Sequence, residues 1–126
     1  MKGYIFRCND KTKDEVFERM LFGEEEAVKA SMMKITLEDY LFLYNTSTFE
    51  FSGPYKPTTA PNINIEGNAW QGRFPVQIRF ETTDQTKTIP FNLIERIITA
   101  YRKGIYPHPE LTKEQTTKIL SIIAAS

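Results

Sequence analysis

The 126-residue chain is poor in several things at once. It has one cysteine, one histidine and no charge excess, 16 Lys and Arg standing against 16 Asp and Glu. A lone Cys8 cannot build a disulfide scaffold, and Cys8 with His108 cannot supply the four ligands of a usual Cys/His zinc site, so neither metal nor cofactor is expected. No apolar run approaches the roughly 20 residues that cross a bilayer as a helix. The opening run Met1-Lys2-Gly3-Tyr4-Ile5-Phe6-Arg7 meets charge before any long apolar stretch, so it is not read as a secretory signal. Charge neutrality gives no global pull toward nucleic acid or anionic lipid, and about six to ten phosphate contacts along a duplex would be out of character. The expectation is a soluble, reduced, cytoplasmic chain forming one domain over residues 1–126. Folding of such a length buries roughly two-thirds of the surface the unfolded chain exposes.

What is present is aromatic and patterned. Gly3 to Cys8 reads as a strand buried on both faces, and Asn9-Asp10-Lys11 breaks it, because Asn and Asp side chains satisfy local backbone groups in turns. Thr12 with Glu15 has the spacing of a capping box, opening a helix whose apolar stripe is Val16, Phe17, Met20 and Leu21 and whose end is expected at Gly23. Glu24, Glu25 and Glu26 suit the positive end of a second helix, with Ala27, Val28, Ala30 and Met33 facing inward. Tyr40 to Tyr44 and Thr48 to Tyr55 read as two strands around an Asn45-Thr46-Ser47 turn, with Phe49 and Phe51 on one face. Pro54, Pro57 and Pro61 then predict an edge or a crossing loop to about Asn62. Ile63 and Ile65 suit a short strand, Trp70 lies in a loop bounded by Gly67 and Gly72, and Pro75 to Thr82 alternates as a half-buried strand. Thr83 to Lys87 reads as a turn, and Thr88-Ile89 as a last short strand. Pro90 opens a helix carrying Leu93, Ile94, Ile97, Ile98 and Tyr101 up to Gly104. Thr112 with Gln115 caps a C-terminal helix with Ile119, Leu120, Ile122 and Ile123 inward. The class is α+β: a small, mostly antiparallel curled sheet or barrel flanked by helices.

No catalytic constellation stands out. There is no phosphate-cradling glycine motif and no Ser or Cys elbow with a supporting His. His108, between Pro107 and Pro109, fits a stiff solvated loop, and Cys8 ends a buried strand and is read as inert. The candidate site residues lie in loops and turns instead. Trp70 either plugs a barrel end or lines a ligand pocket, and Phe22 and Gly23 stand beside a helix end. Asn9 and Asn45 each follow an aromatic strand, and their amides meet at one rim only if the two strands run parallel.

Gly3-Tyr4-Ile5-Phe6-Arg7-Cys8-Asn9, Thr12 and Arg19-Met20-Leu21-Phe22-Gly23 together resemble the opening of the Development and Cell Death (DCD) domain. Leu41-Phe42-Leu43-Tyr44-Asn45 matches that family's central motif, Ala69-Trp70-Gln71-Gly72-Arg73-Phe74-Pro75-Val76-Gln77-Ile78-Arg79 resembles the next, and Leu111 to Gln115 resembles its closing helix. Two stretches depart: Glu24-Glu25 follows Gly23 where the family often has Leu-Pro, and Pro90-Phe91-Asn92-Leu93 keeps its late motif only in part. The resemblance implies a domain known mainly from plant proteins of development, stress and programmed cell death, without established enzymatic activity. The order of elements is also similar to the PUA-like superfold, which includes the YTH and EVE domains; these hold a modified base or similar planar group in an aromatic pocket at the barrel mouth. Fold alone does not assign function.

Two function classes follow. In the first, a non-enzymatic module holds a nucleotide, modified base or short single-stranded RNA with Asn9, Phe22, Gly23, Asn45 and Trp70, while Arg7, Arg73, Arg79 and Lys87 contact phosphates from one shared face. In the second, Pro54 to Trp70 or a sheet edge receives a peptide from a protein partner in stress or cell-death signalling. A small hydrolase or transferase lacks an evident nucleophile and base. No membrane partner is expected.

Overall fold

The computed structural model describes residues 1–98 and 109–126. Among the described residues, seven strands form one curled sheet: β1 (Gly3–Cys8), β2 (Leu21–Glu24), β3 (Tyr40–Asn45), β4 (Glu50–Pro57), β5 (Asn62–Ile63), β6 (Val76–Pro90) and β7 (Glu110–Leu111). Their order is β2-β6-β4-β3-β1-β7, with β5 also on β6. Three helices accompany them: α1 (Lys13–Arg19), α2 (Lys29–Met32) and α3 (Lys113–Ala125). The class is α+β, with a mixed sheet curled into a half-barrel. All pairings are antiparallel except β1 with β3, which run parallel with Cys8 opposite Asn45.

Alternation along the strands divides the apolar residues between two cores. Tyr4, Phe6 and Cys8 of β1 with Leu41 and Leu43 of β3 face the inside of the curl, where Phe22 stacks between Phe6 and Phe80 at ring-centroid distances of 4.6 and 3.9 Å. Ile5, Phe42, Tyr44, Phe51 and Ile89 face outward and are covered by Ile119 and Ile123 of α3. Strands buried on both faces explain the nearly continuous apolar runs at 4–6 and 40–44. The α3 capping box forms as expected: Thr112 Oγ1 accepts from Gln115 N at 3.1 Å, and Gln115 Oε1 accepts from Thr112 N at 2.9 Å.

Several expected boundaries move. The first helix ends at Met20, in the left-handed region with φ 50°, and Leu21–Glu24 is strand β2 rather than a helix end at Gly23. Thr12 precedes α1, but no capping box forms there. Its hydroxyl accepts instead from Asn9 N, and Glu15 reaches a distant loop. Glu26–Val28 is a 3₁₀ turn leading into α2, and Met32 rather than Met33 points inward. Phe49 sits in the β3–β4 turn at φ 57° and is 65% exposed, so it does not share the face of Phe51.

The proline-bearing segment is not an edge, because β4 lies in the middle of the sheet between β3 and β6. Its tolerance of Pro54 comes from a bulge. Gly53 pairs with Lys87 and Tyr55 with Thr82, so Thr83 to Thr86 of β6 swell out opposite a single proline. Pro54 offers no N–H, and its carbonyl accepts from Thr86 Oγ1 at 2.6 Å and Thr83 Oγ1 at 3.4 Å. The polar Thr83–Lys87 stretch is therefore a bulge inside one long strand rather than a turn. The helix expected from Pro90 is two short 3₁₀ turns, Phe91–Leu93 and Glu95–Ile97, and Ile98 is extended. Tyr101, Gly104, Pro107 and His108 lie outside the described residues.

Candidate functional site

Between β1 and β2 the curl is left open. β7 covers β1 only at Gly3 and Tyr4, and β2 pairs only with β6, so the C-terminal half of β1 and the free edge of β2 face one another across a seam. A pocket of about 240 Å³ opens there, lined by Arg7, Cys8 and Asn9 from β1 and its exit, Gly23 and Glu24 from β2, Thr12 and Thr46 from flanking turns, and Glu25, Arg73 and Phe74.

The far wall is the loop between β5 and β6, and an unusual number of bonds fix it. Trp70 and Gln71 both adopt left-handed backbone, φ 47° and 57°, a conformation that persists in non-glycine residues only where surroundings hold it. Trp70 N donates to Glu15 Oε2 at 2.7 Å, and its indole Nε1 donates to Thr12 O at 3.1 Å. Gln77, expected on a solvated face, is only 1% exposed and serves the same loop. Its Oε1 accepts from Glu66 N at 2.7 Å, and its Nε2 donates to the carbonyls of Glu66 and Phe74 at 3.1 and 3.0 Å. The Glu66 carboxylate bonds Arg19 and meets Arg79 at 2.7 Å; these guanidiniums, Arg19 first, hold it below the usual carboxylate range. Arg73 lies over Phe74, 5.3 Å from the ring centroid, and Phe74 meets Trp70 edge-on at 5.6 Å.

The expected site residues separate on this geometry. Arg7, Asn9, Gly23 and Arg73 meet at the pocket. Asn9, which lines the pocket, uses its side-chain oxygen locally, accepting from Lys11 N and Thr12 N at 2.9 and 3.0 Å, and its Nδ2 donors make no hydrogen bond among the described residues. The parallel pairing of β1 and β3 does bring Asn45 to the same rim. There, however, Asn45 is 4% exposed and serves its own turn, accepting from Ser47 N and Thr48 N and donating to Asp10 Oδ1. Phe22 is core, enclosed by Phe6, Tyr55 and Phe80 rather than standing at a mouth. Trp70 is 5% exposed and fills the end of the inner core, where the gap between it, Phe22 and Val16 is only about 10 Å³. Of the four cations, Arg7 and Arg73 line the pocket, whereas Arg79 is committed to Glu66 and to Arg19 O and Lys87 Nζ donates to Ser126 O. Of the Pro54 to Trp70 segment expected to take a peptide, the part to Pro57 lies in β4, which is paired on both edges, with β3 and β6.

The residue that sequence reasoning missed is Glu24. Read as the solvated start of a helix, it is instead 7% exposed at the end of β2 and lines the pocket. Burial raises its carboxyl to about 7; Arg7 opposes the rise and Glu25 adds to it. Period-two reading of Leu21-Phe22-Gly23-Glu24 as a strand would have placed Glu24 on the side of Phe22. Cys8 in the same pocket is pushed up to about 12, by burial first, and so stays a thiol.

A larger recess of about 430 Å³ lies among β1, β7 and the start of α3. It borders Ile98 and Glu110, on either side of residues 99–108, and its extent among the described residues carries no assignment.

Compared with known proteins, residues 2–123 match the family model described as the development and cell death domain. The chain belongs to this family. Carrot (Daucus carota) B2 protein is 38% identical over 87 residues, covering 64% of this chain and 42% of that protein. The soybean (Glycine max) DCD domain-containing protein NRP-B is 32% identical over 129 aligned positions, covering 97% of this chain and 39% of that protein. The chain thus spans about two-fifths of the length of these relatives. Among solved structures, the MmI1 YTH domain superposes with a TM-score of 0.72 at 10% identity, over 99% of this chain and 96% of that one. The Pho92 YTH domain in complex with m6A gives 0.70 at 9%, over 98% and 83%. At such identities the likeness is one of fold. The DCD domain described here therefore has a YTH-like α+β fold. Among the described residues, no helix is long and apolar enough to cross a membrane, and no group of three His, Cys, Asp or Glu is placed to hold a metal ion.

Proposed function

We propose that this DCD domain is a non-enzymatic RNA-binding module that takes one unpaired base into the β1–β2 seam. The observation that carries the reading is the pocket itself: a recess of about 240 Å³ with an Arg-on-Phe wall, Arg73 over Phe74, and a second arginine, Arg7, at its lining. Drug-sized ligands occupy roughly 300–1,000 Å³, so this recess suits a single planar base, with the rest of a strand outside. The fold neighbours support the reading, since one was solved with m6A and another, from Toxoplasma, with an m6A-modified RNA. Stacking of a base on an aromatic wall contributes about 1–3 kcal/mol, and a neutral domain adds only a few phosphate contacts.

The test is fluorescence anisotropy with short single-stranded RNA. Log affinity against log salt should fall with a slope of about −1.4 to −2.1, for two or three phosphates at roughly 0.7 each. Arg73→Ala should weaken binding about three- to tenfold. Affinity independent of salt and of Arg73 contradicts the reading.

A further inference from the structure

We propose that Glu24 reads the base, and that the base is guanine: the carboxylate accepts N1–H and N2–H of its Watson–Crick edge, leaving the acceptors O6 and N7 to the donors of Asn9 and Arg73. This rests on the RNA reading above and names the ligand of that same pocket.

Three observations point there. Glu24 is more than nine-tenths buried, lines the pocket, and makes no side-chain hydrogen bond among the described residues. A buried carboxylate without partners is costly and is ordinarily satisfied by hydrogen bonds. The pocket it lines leaves room for such a partner beside its carboxylate, whose oxygens are not sealed from solvent; the nearby Tyr4 hydroxyl is buried and itself without a partner among the described residues. The second observation is the donor inventory. Asn9 has spent its oxygen on Lys11 and Thr12 and has only side-chain N–H groups left to offer, and Arg73 offers only N–H groups. Glu24 is therefore the one deeply buried side-chain acceptor in a pocket otherwise rich in donors. The third is base chemistry. A carboxylate presents two acceptors side by side, and guanine alone among the four bases presents two adjacent N–H donors on its pairing edge. Adenine and cytosine satisfy one oxygen and set a ring-nitrogen lone pair against the other, and uracil sets a carbonyl against it. Arginine to O6 and N7 is a common way of recognising the remaining guanine edge.

The groups around Glu24 keep a pH test interpretable. From β1 it faces Arg7, and Tyr4 and Cys8 lie near; Glu25 follows it, and Arg73 shares the pocket. Opposite it on β6 stand Val76 and, next along, Gln77, neither of which titrates. Burial pushes the Tyr4 hydroxyl and the Cys8 thiol upward, away from neutrality. The carboxyl of Glu24 itself stands at about 7.

The experiment uses the whole chain and fluorescein-labelled uridine oligoribonucleotides carrying one central G, A, C, U or N6-methyladenosine. At about pH 8 the G probe should bind about tenfold or more tightly than each of the others, as expected for a lost charge-assisted hydrogen bond. Glu24→Gln should bring G to within about threefold of A. Should that variant fail to fold, the wild-type chain alone decides. Its affinity for the G probe, relative to the U probe, should rise about tenfold between about pH 6 and about pH 8 as the carboxyl ionises. Equal binding of all five probes, preference for a base other than G, or a flat pH profile overturns the guanine assignment and leaves RNA binding standing. Binding of no probe overturns both.

Discussion

Trp70 and Gly23 occupy the same space by turns. A Cβ at position 23 would lie 2.5 Å from Trp70 Cζ3 and 2.9 Å from Phe74 Cβ, closer than real contacts allow, and neither neighbour has slack because Trp70 is bonded at both its backbone and indole nitrogens. Gly23→Ala should therefore displace the indole. The expected loss is about 1–3 kcal/mol of stability, the usual range for overpacking, with a red shift in the emission of the only tryptophan. An unshifted spectrum and an unchanged denaturation midpoint would contradict the contact.

Glu24 makes a second prediction at this scale. Its folded-state pKa of about 7 lies above its ordinary 4.5. Below the lower value the group is protonated in both states and folding is unaffected. As pH rises between the two values the unfolded chain ionises first and the folded state loses ground, until the loss is complete above about 7. At about 1.4 kcal/mol per pKa unit, the cost at pH 8 is on the order of 3 kcal/mol. Glu24→Gln removes it, so the variant should gain stability over wild type at about pH 8 and little at about pH 4.5, read by urea denaturation at both. A difference that does not change with pH would show that the carboxyl is not held in its protonated form.

Among the elements, the loop between β5 and β6 determines whether the pocket has a wall. Gln77 supplies three hydrogen bonds to that loop from inside the sheet. Gln77→Ala leaves Glu66 N and the Phe74 carbonyl without protein partners, Ala69 N still serving the Glu66 carbonyl, and should cost about 2–6 kcal/mol, at about 1–3 for each group left unsatisfied in the interior. Amide exchange at 66–74 should accelerate together with it; protection retained there would refute Gln77's role. The elements themselves were unequally legible. Strands β1 and β3 and helix α3 were plain because long apolar runs and a complete capping box leave little choice. β2 was not, because Leu21-Phe22 continues the helical stripe of α1, and only the left-handed turn at Met20 separates the two. The span of β6 was hidden because its bulge at Thr83–Thr86 has the composition of a turn, and the central place of β4 because Pro54 is tolerated only opposite that bulge.

For the whole molecule, the β1–β2 seam is what remains of a barrel that does not close, and it is the place where Arg7, Asn9, Glu24 and Arg73 meet from distant parts of the chain. Three of those four were readable from sequence. Asn9 and Gly23 follow strands and turns whose signals are local, and Arg7 and Arg73 flank them. Glu24 escaped because an acidic triplet looks like a solvated helix start. Arg79 and Lys87 were misplaced because the partners that occupy them, Glu66 and Ser126, are remote in sequence. Charge neutrality has the same meaning at this scale as at the outset: in the proposed function, affinity for RNA comes from one pocket and few phosphates.

The most direct test of that account is a nitrogen-15 NMR titration of the whole chain with a guanine-centred uridine oligonucleotide. The account predicts that the largest shifts fall on Asn9, Gly23, Glu24, Arg73 and the Trp70 indole N–H, and that α3 stays still. Shifts centred on α3 or on the β3–β4 turn, with the seam unmoved, would contradict it.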